Sequence, residues 1–350
     1  MLDTSIIHAD FAETKLQGGT LGDVRLLEGM AETAGGDKLP YKLLLKTQKK
    51  WERPGDADSW QREYDLCASN LDEAMSDSFC RPKCYYAEKN DDEIQIWMEY
   101  AQGVSGEGLN INMLERAAYE LGCFQSKLVS RPKSLRNISN FSDTGFLKRD
   151  YEQWHTQLYS YERLIAERCP LPDAIKQVIK EYKIQMIEGK SFEYSFLRSN
   201  VCDIPSHLKQ MIIDIDDNMD SIFDKISHLP IVLCHRDFWN ENIICNSNDN
   251  KIWLIDWDTT GWGYLGEDLA SLIADEIDFD NFEEYCIKMI PAYYKGISEH
   301  MDISAIDKNF VYEMILIKFG YRMARNYIFE DDDDEKSDQI QALQKIYEMI

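Results

Sequence analysis

The chain has 350 residues, 44% of them hydrophobic, which is enough for one large core or two smaller ones. It carries 63 acidic and 38 basic side chains, and the resulting formal net charge of −25 repels nucleic acid and anionic membrane surfaces. No run approaches the roughly 20 apolar residues of a membrane span, and the first segment lacks the features of an export signal. We therefore expect a cytoplasmic protein with no nucleic-acid or membrane partner.

The cysteines argue against a stapled or zinc-bound domain. There are nine, scattered along the chain and without paired Cys-x-x-Cys motifs. Cys80 and Cys84 form one loose pair, but no second pair accompanies them as a zinc site would require. This pattern favours reduced thiols in the cytoplasm.

Up to about Ala101 the pattern predicts a small antiparallel sheet with one inserted helix. Short apolar runs broken by glycine over residues 12–50 indicate strands, and residues 81–101 indicate a second strand pair around the turn 89–92. Between them, after a capping Ser59, apolar or aromatic side chains recur at helical spacing: Trp60, Tyr64, Cys67 and Leu71.

Beyond Ala101 the pattern changes to long helices. An apolar stripe predicts a helix over residues 112–129, formed by Leu114, Ala118, Leu121, Phe124 and Leu128. Further helical patterns cover 147–168, 172–190 and 205–226. Residues 230–258 instead predict a hairpin with an Asn-rich turn, and the acidic run at 330–336 is expected to be a solvated loop.

The hairpin carries the sharpest chemical signal. His235, Arg236, Asp237 and Asn242 form the pattern H-R-D-x-x-x-x-N, and Asp256 ends the next apolar strand. Three oxygen-bearing side chains at the ends of a hairpin suit phosphoryl transfer, because Mg²⁺ prefers carboxylate and amide oxygens and a hydroxyl acceptor needs a carboxylate to orient it. The alternative is that the Asp and Asn side chains only satisfy a buried turn.

This hairpin resembles the catalytic loop of the protein-kinase-like superfamily, in its aminoglycoside phosphotransferase and choline kinase branch. In place of D-F-G the chain has Asp256-Trp257-Asp258, and no A-P-E follows, which disfavours a protein kinase. The next segment, which contains Asp268, is similar to the G…DLA helix of the phosphotransferases. With the features below, the resemblance covers residues 15–330.

The resemblance implies an α+β, bilobal protein-kinase-like fold. The N-terminal nucleotide-binding lobe, residues 1–100, would hold a small antiparallel β-sheet with one helix. The larger C-terminal lobe, residues 101–350, would be mainly helical and carry the catalytic hairpin and the acceptor site.

The resemblance also implies roles for the hairpin residues. Asp237 would orient the acceptor hydroxyl and take its proton, while Asn242 and Asp256 would hold Mg²⁺ against the phosphates. Aromatic side chains crowd this region of the sequence, and we assign Trp257, Trp262 and the nearby Asp258 to the acceptor side. Aromatic residues in such numbers are also typical of a plain core. Arg236 has no evident role.

A looser glycine motif precedes the second strand. Gly19 and Gly22 would let backbone amides approach a triphosphate, although glycines also make plain hairpin turns. Lys46, at the end of an apolar strand, is expected to contact the α- and β-phosphates; a strand-end lysine that reaches water is the alternative. Glu63 on the following helix would pair with Lys46, with Glu52 and Asp65 as rivals.

The strand that ends near residue 101 leads out of the sheet, as the hinge of such kinases does. Backbone groups of Glu99, Tyr100 and Ala101 are therefore expected to bind adenine, unless the segment is only an ordinary linker.

Together these features predict a phosphotransferase that moves the γ-phosphate of ATP, or of GTP, to a hydroxyl of a small molecule in the presence of Mg²⁺. A neutral or cationic alcohol or amino-sugar would be the acceptor. The alternatives are a choline- or ethanolamine-type kinase and a nucleotide-binding pseudokinase scaffold.

Overall fold

The protein is described by a computed structural model. It covers residues 5–16, 22–51, 53, 56–129, 135, 141–157, 176–177, 180–181, 184–185, 187–199, 204–275, 278–330 and 332–350.

By its internal contacts the chain separates into two compact units. The first unit comprises Met1–Ala117, Arg131–Ser142 and Asn240–Gly261. The second comprises Ala118–Ser130, Asp143–Trp239 and Trp262–Ile350. The division of the chain near residue 100 into two lobes stays a prediction.

The first unit is built on an antiparallel sheet. The strands of this unit before residue 100 are β1 (Ile6–Ala9), β2 (Ala12–Lys15), β3 (Gly22–Thr33), β4 (Lys38–Lys49), β5 (Phe79–Cys80), β6 (Cys84–Lys89) and β7 (Glu93–Glu99). All of them except β5 belong to this sheet. In the part of the chain that the structure describes, the sheet has the order β1-β3-β4-β7-β6, with β2 also paired to β3. Every pair in it is antiparallel, as predicted.

One short helix packs on this sheet. A 3-10 turn at Ser59–Gln61 leads into α1 (Arg62–Cys67), and a further 3-10 turn covers Leu71–Glu73. The core beneath α1 is a cluster of Trp60, Ile94 and Ile96, against which Tyr64 and Cys67 also pack. Tyr64 and Cys67 of the predicted face lie on α1, whereas Trp60 and Leu71 lie in the 3-10 turns on either side of it, and the cap of α1 is Gln61 instead of the predicted Ser59.

The Asn-rich segment forms the predicted hairpin. A 3-10 turn at Asn240–Asn242 precedes β9 (Ile243–Asn246), which pairs antiparallel with β10 (Lys251–Leu254). β10 also pairs parallel with β5. The 3-10 turn Trp257–Thr259 follows β10.

The second unit is mainly helical, which confirms the α+β class. Helix α2 begins in the first unit and ends in the second. The helices are α2 (Ile111–Lys127), α3 (Phe146–Glu152), α4 (Phe192–Arg198), α5 (Ser206–Ser227), α6 (Glu267–Ala274), α7 (Phe279–Ser298), α8 (Phe310–Ile315), α9 (Tyr321–Phe329) and α10 (Asp333–Met349). A 3-10 turn at Gly106–Gly108 precedes α2, and π-helical turns cover Gln153–Gln157 and Leu316–Gly320. Two short strands, β8 (Ile231–Cys234) and β11 (Gly261–Tyr264), pair with each other.

Helix α5 shows why the apolar periodicity was informative. Its buried side chains include Leu208, Met211, Ile215 and Ile222, which lie on one face. The helix predicted over 205–226 is confirmed. The helix predicted over 147–168 is present as α3 and the π-helical turn to Gln157, and the rest of that range lies outside the described residues. Of the helix predicted over 172–190, residues 176–177 and 180–181 are helical, but residues 184–185 and 187–190 are not, so the prediction was wrong at its C-terminal end; the other residues lie outside the described ones.

Residues 333–336 of the acidic run begin α10, so the expectation of a loop was wrong for them. Asp332 caps α10 by accepting the N–H groups of Asp334 and Glu335, at 2.9 and 3.0 Å. The carboxylates that follow form the first turn, where the positive end of the helix dipole favours negative charge. No helix among the described residues is long and apolar enough to cross a membrane.

A histidine is buried among polar partners in the second unit. His155 is 5% exposed and stacks on Tyr151, whose hydroxyl lies 3.0 Å from Nε2. The same nitrogen lies 3.4 Å from Asp216. Burial, and then the charges of Arg325 and Lys190, lower the pKa of His155 to about 3. The folded protein therefore keeps this imidazole neutral.

This histidine predicts acid sensitivity. An unfolded histidine binds a proton near pH 6.5, so His155 stabilises the fold fully above that pH, and the contribution is lost as pH falls toward 3, by at most about 1.4 kcal/mol per pH unit. We expect His155→Gln to show a shallower loss of unfolding free energy between pH 7 and pH 5 than the wild type in urea titrations. The exposed His207→Gln should keep the wild-type slope; equal slopes for all three proteins would contradict the assignment.

Candidate active site

Lys46 lies within β4, between Val24 of β3 and Ile96 of β7. Its ammonium lies 2.5 Å from a carboxylate oxygen of Glu63 and 2.6 Å from one of Asp256. The side chains of Lys46 and Glu63 are 15% and 11% exposed. The expected Lys46–Glu63 ion pair is thus present, and Asp256 joins it.

These two carboxylates keep Lys46 charged. Burial lowers the pKa of Lys46, but the charges of Glu63 and Asp256 and their hydrogen bonds outweigh burial and raise it above its ordinary value. The side chain is therefore an ammonium ion that can contact an anionic ligand.

Asn242 and Asp256 lie at one end of the β9–β10 hairpin. The last strand pair joins Ile243 to Leu254, and the N–H of Ile255 then donates to the carbonyl of Asn242 at 3.1 Å. Asp256 follows in the left-handed region, with φ of 63° and ψ of 65°, which aspartate tolerates better than most residues. This turn delivers the Asp256 carboxylate to Lys46.

Arg62 secures the neighbouring turn. It precedes Glu63 on α1 and is fully buried. Its guanidinium donates to both carboxylate oxygens of Asp56, at 2.9 and 2.6 Å, and to the carbonyl of Asp258 at 2.7 Å. The bidentate pair supplies the partner that a buried guanidinium requires.

Trp257 and Asp258 occupy that turn. Trp257 is 2% exposed, and its indole N–H donates to the carbonyl of Leu254 at 3.0 Å. Burial, and then the charge of Asp256, raise the pKa of Asp258 to about 7. Trp257 thus contributes to the core of the hairpin, and its assignment to the acceptor side stays a proposal.

The glycine motif is described in part. Gly22 begins β3 opposite Gln48, and a Cβ there would lie 2.8 Å from the carbonyl oxygen of Thr47. Glycine at this position therefore has a packing reason in addition to any role at a phosphate. Gly19 lies outside the described residues.

The expected hinge runs on toward the hairpin within the first unit. Glu99 ends β7, and Tyr100 and the buried Ala101 follow. Val104 then exchanges two backbone hydrogen bonds with Cys245 of β9, both at 2.9 Å. The backbone after Glu99 is therefore tied to the hairpin that carries Asn242.

Asp237 lies in the second unit, on the loop after β8. The two residues before it are held by Asp268, which accepts the N–H of His235 at 2.8 Å and that of Arg236 at 2.7 Å. Arg236 has a φ of 70°, in the left-handed region. Burial raises the pKa of Asp268, while His235 and the two N–H groups oppose that rise. Asp268 is thus the backbone anchor of this loop.

A buried network supports Asp268 in turn. Gln125 of α2 donates to its carboxylate at 2.9 Å. The side-chain amide oxygen of Gln125 accepts a hydrogen bond from the Tyr293 hydroxyl. That hydroxyl in turn accepts a hydrogen bond from the backbone N–H of Gly266, at 3.0 Å. Side chains from α2 and α7 therefore support the start of α6.

Arg236 has the structural role that the sequence did not reveal. Its guanidinium lies 3.2 Å from Glu267, which is 1% exposed. It donates to the carbonyls of Asp143 at 3.0 Å and Trp262 at 2.8 Å, and it stacks over the Phe146 ring at 4.2 Å. Trp262 is 7% exposed, so it too is a core residue of its unit.

Several of these supporting residues were not predicted. Arg62, Gln125 and Glu267 belong to no local motif, and most of their partners lie far away in the sequence, although Asp56 is only 6 residues from Arg62. Only Asp268 stood out, through the DLA segment. No short-range signal in the chain would have found the others.

A comparison with protein-family models matches residues 82–296 to the phosphotransferase enzyme family. The matched span includes the hairpin motif but begins after Lys46 and Glu63. Because it covers more than half of the chain, the chain belongs to the phosphotransferase enzyme family, and it is a small-molecule kinase. No curated protein sequence matches the chain.

Solved structures are similar to this chain at low sequence identity. A microcompartment-associated aminopropanol kinase is 13% identical, with 97% of this chain and 90% of that one covered and a TM-score of 0.52. A spectinomycin phosphotransferase in complex with ADP and spectinomycin is 11% identical, with 99% and 93% covered and a TM-score of 0.45. A Plasmodium vivax ethanolamine kinase is 14% identical, with 96% and 81% covered and a TM-score of 0.43. The first likeness supports the protein-kinase-like α+β fold.

The donor set at the hairpin end fits Mg²⁺. The Asn242 amide and the Asp256 carboxylate are hard oxygen ligands, and Mg²⁺ is usually held by one or two carboxylates together with substrate phosphates and water. Among the described residues no group of three or more His, Cys, Asp or Glu side chains could hold a metal. The chemistry of the site thus suits a cation shared with phosphates.

The role of Arg236 predicts a large stability effect. Arg236→Met would leave the buried Glu267 carboxylate without its guanidinium, and we expect the free energy of unfolding to fall by about 3–5 kcal/mol. Adding Glu267→Gln should recover part of that loss in denaturant titrations.

Arg149→Met is the matched control for this experiment. Arg149 pairs with Asp143 at the surface, where both side chains are exposed, so its loss should cost less than about 1 kcal/mol. A similarly small cost for Arg236→Met would show that its contacts do not hold the loop.

Proposed function

We propose that this enzyme transfers the γ-phosphoryl group of ATP to a hydroxyl of a small molecule, in the presence of Mg²⁺ and in the cytoplasm. The observation that carries the proposal is the ionic cluster of Lys46, Glu63 and Asp256. In such a cluster the Lys46 ammonium has a fixed position, and the Asp256 carboxylate beside it can hold a cation. The ammonium and the cation are the two positive charges that a triphosphate needs. GTP is the alternative donor.

In this proposal the first unit binds the nucleotide. Lys46, positioned by Glu63, contacts the phosphates, and Gly22 with Gly19 lets backbone amides approach them. Backbone groups at Glu99, Tyr100 and Ala101 bind the base. At Gly22 the close approach of β3 to β4 leaves no room for a larger side chain, which agrees with a glycine at this position of the motif.

Asn242 and Asp256 hold the metal in this proposal. Bound Mg²⁺ would neutralise negative charge on the phosphate oxygens. Asp256 lies in a turn whose neighbour Asp258 is anchored through Arg62, so the carboxylate keeps its direction.

Asp237 orients the acceptor hydroxyl and accepts its proton as the bond to phosphorus forms. The loose transition state of phosphoryl transfer asks little basicity of the nucleophile, so an ordinary carboxylate suffices and direction matters more than pKa. The anchoring of His235 and Arg236 by Asp268 supports this role, because it holds the backbone that leads into Asp237.

The acceptor is an alcohol or amino-sugar, neutral or cationic, with Asp258, Trp257 and Trp262 on its side of the reaction. A choline- or ethanolamine-type substrate belongs to the same class of reaction. The net charge of −25 is compatible with a cationic acceptor, but solubility explains it equally well. A scaffold without chemistry is disfavoured, because the chain belongs to an enzyme family and retains the Lys, Asp and Asn of the motif.

The acceptor class is tested by ADP release. ATP and GTP are each incubated with Mg²⁺ and a panel of aminoglycosides, choline, ethanolamine, amino alcohols and simple sugars. Release stimulated by one class would identify the substrate. Nucleotide binding without stimulated release by any compound would count against the enzyme assignment.

The role proposed for Asp237 predicts that its substitution lowers turnover but leaves nucleotide binding intact. Asp237→Asn should lower the acceptor-stimulated kcat by roughly 10²–10⁴, since general-base and positioning effects have this size. Nucleotide affinity, measured by calorimetry, should stay within a few-fold of the wild type.

The exposed Asp249→Asn, in the turn of the same hairpin, is the matched control and should retain full activity. Wild-type turnover in Asp237→Asn would overturn the role assigned to Asp237.

Asn242 predicts a change in metal dependence. Asn242→Ala removes one of two metal ligands, so the Mg²⁺ concentration for half-maximal turnover should rise at least about tenfold. The midpoint of thermal unfolding should be measured beside it, because Asn242 is buried. An unchanged Mg²⁺ dependence in a folded variant would remove Asn242 from the metal site.

A further inference from the structure

Two cysteines from different elements of the first unit meet beneath α1. Cys67 is the last residue of α1, and Cys84 is the first residue of β6. Both pack against the Trp60, Ile94 and Ile96 cluster. Both thiols are partly exposed and in the reduced state.

The helix face explains the position of Cys67. Trp60, Tyr64 and Cys67 are spaced by four and three residues, and all three pack on the same cluster. The thiol therefore points at the sheet from the end of the helix, one turn after Glu63.

A β-bulge explains the position of Cys84. Along β6, Cys84 opposes Met98, whereas Tyr86 opposes Trp97 and Ala87 opposes Ile96, so Tyr85 is an additional residue in the ladder. In a regular strand Cys84 and Ala87 would face opposite sides of the sheet. The bulge puts both on the side that packs against the core cluster.

The two thiols interact directly. The Cys67 S–H donates a hydrogen bond to the Cys84 sulfur, which lowers the pKa of Cys84 and, together with burial, raises that of Cys67. Arg81 adds a positive charge that lowers the pKa of Cys84 further. A thiol with a lowered pKa beside a partner thiol is the usual arrangement of a reactive pair.

We propose that Cys67 and Cys84 are a redox modification site: a low-molecular-weight disulfide such as oxidised glutathione converts them into a reversible intramolecular disulfide that ties α1 to β6. This site is separate from the proposed nucleotide chemistry and does not depend on it.

The exchange balances in two steps. The Cys84 thiolate attacks one sulfur of the small disulfide, which breaks its S–S bond and releases one thiolate. The Cys67 sulfur then attacks the Cys84 sulfur of the mixed disulfide and releases the second thiolate, which takes the Cys67 proton. The two protein sulfurs lose two electrons, and the small disulfide gains them.

The bond would restrain the helix that presents Arg62 and Glu63. α1 has only six residues, so little of its stability comes from its own hydrogen bonds. A covalent link at its last residue limits the opening of the whole helix. Exchange of the α1 backbone amides with deuterium should therefore slow on oxidation.

The experiment titrates the full chain with mixtures of reduced and oxidised glutathione, then blocks free thiols and maps peptides by mass spectrometry. We expect a Cys67–Cys84 peptide pair, labelling of both thiols reduced at least about tenfold, and full reversal by dithiothreitol. α1 amide exchange is measured on the same samples. Neither readout uses enzyme activity.

Three variants make the result decisive. Cys67→Ser and Cys84→Ser should each abolish the pair, and Cys67→Ser should accumulate a mixed disulfide on Cys84. Cys80→Ser is the matched control: Cys80 is also partly buried, but burial raises its pKa to about 11, and its loss should change nothing. A pair that contains Cys80, or mixed disulfides alone in the wild type, would overturn the proposal.

Discussion

The burial of one ammonium ion between two carboxylates organises the first unit. Removing a charge from water costs several kcal/mol, so Lys46 is stable in β4 only while Glu63 and Asp256 reach it. These partners come from a six-residue helix and from the end of a hairpin, segments that are far apart in the chain. Arg62, the residue before Glu63, is also a buried cation, and it pairs with the carboxylate of Asp56. Ion pairs therefore position a helix that is too short to stand by itself.

In the second unit a buried carboxylate, that of Asp268, has the corresponding role of joining distant segments. Asp268 accepts two consecutive N–H groups, those of His235 and Arg236, and so holds Arg236 at a φ of 70°. Asp256 is at a φ of 63°. Left-handed backbone at residues other than glycine costs roughly 1–3 kcal/mol and persists only where surrounding contacts enforce it. Arg236 immediately precedes Asp237 in the motif, and Asp256 is one of the two proposed metal ligands, so both strained residues lie where the proposed chemistry takes place.

The sequence by itself determined the class of fold, most element positions and the residues of the motif. Alternation and helical spacing are local properties, which is why the strand pairs, the hairpin and the helix near residues 205–226 could be predicted. The motif could be read because Asp237 and Asn242 lie at a short fixed spacing. Local pattern failed at 330–336, where a run of acidic residues has the composition of a loop but Asp332 caps a helix.

Only the tertiary structure decided which of several equivalent residues meet. The register of β4 and the placement of α1 select Lys46 and Glu63, although neighbouring lysines and acids have the same chemistry. The support that Arg236 gives its loop, and the bulge that turns Cys84 toward Cys67, depend equally on contacts between distant segments. Such contacts form because the whole core must bury apolar surface while every buried charge finds a partner, and no short stretch of sequence contains that condition.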